Sequence, residues 1–327
     1  MFVDRKEELD ILEKKFMEKQ FHFFPIYGRR RVGKTELIKQ FIKDKKAIYF
    51  LATSGSKREN IERFKEAAKE IIDISFVTES WREIFEYLSK HLEEKTIIVI
   101  DEFPYLVETE KGLSSIFQYI VDMYLSNTNN FLILCGSSLG MMYKEVLGYR
   151  APLYGRRTGQ LEISPLSFKE SAGFFKDKKI REKIEIYSIC GGVPAYLKEF
   201  MENKNIFTLI KEKILSKGSP LLEEIPFILR QEFREPKTYM SILSAISLGN
   251  RNLGKIVNYC GFQSKTGIMP YLYNLENLGY IKRELPVTEK PRSKRGLYFI
   301  SDNYFDFWFK FIRRNMSLIE IDIRKAL

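Results

Sequence analysis

The sequence predicts an α/β fold: a parallel sheet with a glycine-bounded loop after its first strand, then helices, then a small module of helices and strands. Three observations predict it. A short apolar run leads into a glycine-bounded basic loop and a helical pattern, within residues 21–43. A second apolar run ends in two adjacent acids, Asp101 and Glu102. Beyond residue 225, three helical patterns precede two alternating strands joined by a basic loop.

The opening, "FVDRKEELDILEKKF", reads as a helix, with Asp4 and Glu7 spaced as a capping box that starts it. "FHFFPIY", residues 21–27, is an apolar run of strand length. In "YGRRRVGKTELIKQF", which overlaps its end, Gly28, Gly33, Lys34 and Thr35 fit the Walker A spacing G-x-x-x-x-G-K-[ST]. Such a loop wraps main-chain N–H groups around a β-phosphate. Its lysine reaches the β- and γ-oxygens, its threonine hydroxyl ligates Mg²⁺, and the next helix points its positive end at the anion. Leu37, Ile38, Phe41 and Ile42 give that helix an apolar stripe. The nucleotide-binding candidates are Gly28, Arg29, Arg30, Arg31, Val32, Gly33, Lys34, Thr35 and Glu36. Main chain and Lys34 already grip the phosphate in such a loop, so the three arginines cannot all be its ligands. They are expected to raise the local positive potential and to pair with acids elsewhere.

"KAIYFLA", residues 46–52, reads as the next strand, and a long helical stretch follows. "TIIVIDEFPYL", residues 96–106, is a strand without alternation, as expected where both faces of a parallel sheet are covered. Asp101 is expected beside the metal with Thr35, and Glu102 is expected to orient the attacking water. "NFLILCGSS", residues 130–138, is a further strand; Ser137 either touches the γ-phosphate or water, or the two serines cap the next helix. Arg156 and Arg157 precede the short strand "QLEIS". They either meet the γ-phosphate, in cis or from a neighbouring subunit, or form a basic surface turn. Gly191, Gly192 and Pro194 interrupt a helical pattern, which brings backbone close to a ligand or joins two helices.

The last module holds "TYMSILSAISLG", "LGKIVNYCGF" and "SKTGIMPYLYNLENLGYI", with Pro270 expected to limit how early the third helix begins. "IKRELPV" and "LYFISD" follow as strands, so the order is that of a winged helix-turn-helix. Lys290, Arg292, Lys294 and Arg295 in the wing could contact nucleic-acid phosphates. Lys265, Tyr271 and Asn274 are the base-reading candidates of the third helix. Double-stranded DNA and a docked protein are both open as partners.

Composition narrows the classes. The 327 residues include 44% hydrophobic and 30% charged, ordinary for a globular chain of two or three domains. Fifty-four basic against 43 acidic residues give a net charge of +11, which suits an anionic partner or a lysine-rich solvated surface. No apolar run reaches membrane-span length, and the charged opening is unlike a signal peptide. Two histidines and three scattered cysteines argue against a zinc site, a Ser-His-Asp triad or a disulfide framework. A cytoplasmic setting without membrane partners is expected.

The quoted stretches, with "GGVPAYL", "MPYLYNLENLGYIKRELPV" and "DNYFDFWFKFI", together resemble the archaeal-type P-loop ATPase family, within the STAND branch of AAA+, essentially end to end. The resemblance implies a P-loop NTPase core with sheet order 5-1-4-3-2, a helical lid and a winged helix. The expected division is 1–165, 166–225, 226–302 and a final segment 303–327. It implies ATP and Mg²⁺ as cofactors, with Lys34, Thr35, Asp101 and Glu102 in the roles given above. Pro194 would lie by the base in a Gly-x-Pro lid motif, and Arg5 near the adenine. Many members continue into a domain resembling restriction-type nucleases. Here the last residues resemble only its beginning, so no nuclease activity is expected. The implied function is slow, Mg-dependent ATP hydrolysis in a switch, with a protein partner or self-association open. The alternatives are a DNA-binding regulator holding ATP as a structural ligand, and a motor-like oligomer.

Overall fold

The computed structural model describes residues 2–290, 293 and 295–321. The chain forms two compact units, Met1–Ser164 and Pro165–Leu327.

The first unit runs α1 (Lys6–Met17), β1 (His22–Tyr27), α2 (Lys34–Ile42), β2 (Ala47–Leu51), α3 (Lys57–Ala68), α4 (Trp81–His91) and β3 (Ile97–Asp101). It continues with α5 (Phe103–Thr109), α6 (Leu113–Ile120), β4 (Phe131–Gly136), α7 (Leu139–Met142) and β5 (Leu161–Glu162). The sheet order is β2-β3-β4-β1-β5, which from the β5 edge reads 5-1-4-3-2. Every pairing is parallel, with His22 opposite Phe131, Ile97 opposite both Phe131 and Ala47, and Ile26 opposite Leu161. The central strands β1, β3 and β4 are buried at every position, which is why they read as unbroken apolar runs. Edge strand β2 alternates instead.

Two packed clusters fix the sheet. On one side Leu37, Ile38 and Phe41 of α2 meet Val32, Ile26, Ile133 and Cys135, which seats the loop before α2 on the carboxyl ends of the strands. Elsewhere Phe50, Phe64, Trp81, Phe85 and Phe117 contact one another with ring centroids 5.5 to 6.2 Å apart. Such aromatic pairs bury large areas in preferred edge geometries.

The start of α1 departs from the sequence reading. The Asp4–Glu7 capping box does not form: Arg5 is the N-cap and makes no side-chain cap bond. Asp4 and Arg5 both adopt left-handed backbone, φ 60° and 71°, so the chain turns inward and the Arg5 side chain is buried.

The second unit comprises α8 (Phe168–Ser171), α9 (Ile180–Cys190), α10 (Pro194–Glu199), α11 (Ile206–Leu209), α12 (Pro220–Glu232), α13 (Pro236–Ser247), α14 (Leu253–Cys260) and α15 (Lys265–Asn277). The antiparallel pair β6 (Ile281–Glu284) and β7 (Leu297–Ile300) follows, then α16 (Asn303–Phe307) and α17 (Met316–Ile321). Between α9 and α10, Leu166 N–H donates to the Gly192 carbonyl at 2.7 Å. A Cβ on Gly192 would lie 1.6 Å from the Leu166 carbonyl oxygen, so only glycine permits this approach. The expected boundary at 225/226 falls inside α12, which continues through Pro226. Pro270 does not delay α15 either. That helix begins five residues earlier, because the Ser264 hydroxyl accepts from Gly267 N–H and caps the first turn. Among the described residues, no helix is long and apolar enough to cross a membrane.

Candidate functional site

The loop between β1 and α2 is built on close contact with β5. Ile163 N–H donates to the Tyr27 carbonyl at 2.7 Å, and Gly28 rests against the Ile163 carbonyl. A Cβ on Gly28, whose φ is +153°, would stand 2.2 Å from that oxygen. Arg31 and Gly33 adopt positive φ, 67° and 96°, and fold the loop back onto α2. Lys34, first residue of α2, is only 5% exposed. Its ammonium donates to the carbonyls of Gly28 and Arg29, each at 2.9 Å. Burial pulls its pKa down, while Cys135 and the carboxylates of Glu102 and Asp101 act the other way.

Asp101, the buried last residue of β3, gathers donors from three elements. Thr35 Oγ1 and Tyr49 Oη both donate to its Oδ2 at 2.8 Å, and the Glu102 N–H donates to Oδ1 at 3.0 Å. Glu102 takes φ 55° at the start of α5, which turns its side chain toward the end of β4. There the Ser137 hydroxyl lies 2.7 and 2.8 Å from the two carboxylate oxygens, with the Ser137 N–H at 3.3 Å. Lys34, Thr35, Asp101, Glu102 and Ser137 thus form one connected constellation. The capping alternative for the serines is not realised: Ser138 is the N-cap of α7 and makes no side-chain cap bond.

Residues present here fit Mg²⁺ carried by a polyphosphate rather than a resident ion. Among the described residues no group of three or more His, Cys, Asp or Glu could hold a metal alone. Mg²⁺ usually keeps waters and takes one or two protein ligands plus substrate phosphates, which a Thr35–Asp101 pair can supply.

The arginines divide. Arg29 is buried, Arg30 is half-buried with Nη2 3.5 Å from the Tyr105 hydroxyl, and Arg31 is exposed, as is Glu36. Arg5 donates to the carbonyls of Val32 at 3.1 Å and Ser164 at 2.6 Å, and pairs with Glu8 at 2.8 Å. It therefore braces the loop from behind, a role its expected place near an adenine did not anticipate. Arg156 and Arg157 are not brought to the loop of their own chain. Arg156 forms a forked pair with Asp122 at 2.9 and 3.0 Å, and Arg157 bonds Tyr154 and Gln160 while lying over the Tyr154 ring. Thr158 beside them donates to the carbonyl of Phe23, five residues before Gly28. That is about 16 Å of strand, at ~3.3 Å per residue.

In the second unit Pro194 opens α10, so the glycine-proline break joins two helices there. Lys265 and Lys290 are exposed, and Arg295 pairs with Glu289 at 2.8 Å. Arg292 and Lys294 lie outside the described residues. The other two base-reading candidates are tied to neighbours: Tyr271 donates to Glu235 at 2.7 Å and Asn274 to the Tyr239 hydroxyl at 2.9 Å.

Sequence reasoning missed Tyr49 and Ile163 as parts of the site. The available signal for Tyr49 was a lone hydroxyl in an otherwise apolar strand aligned beside the acid-ending one.

Residues 2–200 match the sequence profile of a family described as an ATPase domain predominantly from Archaea. An uncharacterized protein of Methanocaldococcus jannaschii is 42% identical over 321 residues, spanning 98% of this chain and 71% of that one. A second from the same organism, named as an uncharacterized ATP-binding protein, is 59% identical over 46 residues, 14% of this chain and 78% of that one. In fold the chain is similar to a Walker-type ATPase of Pyrococcus abyssi, with TM-score 0.71, 22% identity, and 94% and 96% of the two chains covered. It is also similar to the ORC2 protein of Aeropyrum pernix, solved in ADPNP–ADP complexes, with TM-score 0.58, 13% identity, and 97% and 93% covered.

Proposed function

Since the chain belongs to the family of ATPase domains found predominantly in Archaea, we propose that it binds ATP with Mg²⁺ through the β1–α2 loop and hydrolyses it slowly, as a switch of the STAND type. The hydrogen bond between Thr35 and Asp101, 2.8 Å, carries this reading, because it joins the phosphate loop to the acid-ending strand. The relative named as ATP-binding supports the choice of nucleotide. Lys34 exchanges its two carbonyl partners for phosphate oxygens. Thr35 would offer its hydroxyl oxygen to the metal while its O–H goes on donating to Asp101. Glu102 accepts a hydrogen bond from the attacking water once it leaves Ser137. Mg²⁺ arriving with ATP would be held by Thr35 with Asp101 behind it, and would supply neutralisation of phosphate charge. Arg157 and Arg156 act, in this reading, only toward a neighbouring subunit.

The three helices α13 to α15 with the β6–β7 pair form the proposed winged helix. Its exposed Lys265 and Lys290 support a sequence-tolerant contact with duplex DNA. One observation favours the second reading, ATP as a structural ligand: Glu102 is engaged by the hydroxyl and N–H of Ser137. Phosphate release separates the two. A switch gives measurable wild-type turnover that Glu102→Gln lowers by about 10² or more with ATP still bound; no turnover in either protein refutes hydrolysis.

A further inference from the structure

We propose that Tyr49 is a positioning residue for the metal-facing carboxylate, locking Asp101 in the orientation that Mg-nucleotide requires; this rests on the Mg-ATP reading of the site. β2 runs beside β3, with Tyr49 opposite Val99 and Leu51 opposite Asp101, so the tyrosine ring reaches along the sheet to the acid. Its hydroxyl shares Oδ2 with the Thr35 hydroxyl, both at 2.8 Å, and the Glu102 N–H holds Oδ1 at 3.0 Å. Each carboxylate oxygen has two lone pairs. Two donors therefore use up Oδ2, and Oδ1 alone keeps acceptor capacity toward a metal-bound water. Without Tyr49 the carboxylate loses one of the two hydroxyls on Oδ2, and Thr35, the Glu102 N–H and the neighbouring Cys135 thiol are left to restrain its rotation about Cβ–Cγ. Packing does not require the hydroxyl, since it is the apolar body of Tyr49 that packs against the cluster around α2. A phenylalanine would fill the same place.

The orientation of groups behind a metal ligand commonly changes metal affinity 10- to 100-fold when lost. The test is equilibrium binding of a fluorescent ATP analogue to wild type and Tyr49→Phe, in EDTA and across a Mg²⁺ series, with melting temperature as the folding control. The expected result is an unchanged dissociation constant in EDTA, and about a tenfold or greater rise in the Mg²⁺ concentration that half-restores tight binding. An unchanged Mg²⁺ midpoint in Tyr49→Phe overturns the proposal, and so does equal weakening with and without Mg²⁺. A wild type that binds no nucleotide at all refutes the underlying reading instead.

Discussion

Gly28→Ala puts one methyl group where the loop meets the sheet edge. The new Cβ would lie 2.2 Å from the Ile163 carbonyl oxygen and 3.1 Å from its carbon. Real Cβ contacts are essentially never under 3.0 Å, so the two backbones must part by about 0.8 Å. Neither can swing aside cheaply, because the Ile163 N–H is bonded to Tyr27, the residue before Gly28. Overpacking of this kind costs about 1–3 kcal/mol. For a unit of this size each kcal/mol lowers the melting temperature by roughly 2–4 °C, so a fall of about 2–12 °C is expected. A misplacement near 1 Å in a positioning loop costs on the order of 10²-fold in function. Single-turnover hydrolysis should then slow by about 100-fold, and calorimetry of Mg-ATP binding should show a weakened affinity. A Gly28→Ala protein that melts and binds like wild type would refute the claim that this contact sets the loop.

Arg156→Ala, which removes an exposed pair with Asp122, should cost under about 1 kcal/mol in urea unfolding and leave single-chain turnover unchanged. His22 is fully buried and its pKa lies below 6.5, chiefly through burial, although Glu18 raises it. Between that lowered pKa and 6.5 the unfolded chain binds more protons, so stability falls as pH drops through this window. His22→Gln should flatten the slope in melting curves taken across it. On the winged-helix reading, Lys265→Ala should weaken duplex binding and reduce the salt dependence by about one phosphate contact. Tyr271→Phe should leave both unchanged in the same titration, because that hydroxyl is bonded to Glu235.

Much of the nucleotide site was legible because its signals are local. Gly28, Gly33, Lys34 and Thr35 fall within eight residues, and the buried strand before Asp101 reads as an apolar run. Partnerships across long sequence separations were not legible. Tyr49 meets Asp101 from 52 residues away, and Arg5 meets Ser164 from 159 away. Local competition misled in other places. Asp4 and Glu7 have capping-box spacing, but burial of the Arg5 guanidinium on two carbonyls outweighs it. Arg156 looked available for a phosphate, and Asp122, 34 residues earlier, takes its fork. Tyr271 and Asn274 looked available to bases, yet Glu235 and the Tyr239 hydroxyl, 36 and 35 residues earlier, already hold them.

The guanidinium of Arg5 spans Val32 in the loop and Ser164, the last residue before the chain leaves its first unit. Two distant stretches of backbone therefore share a single rigid strut. Any ligand that draws the Val32 carbonyl outward must either break a charged hydrogen bond or drag residue 164 with it. Through that one side chain the peptide at the end of the unit is tied to the loop.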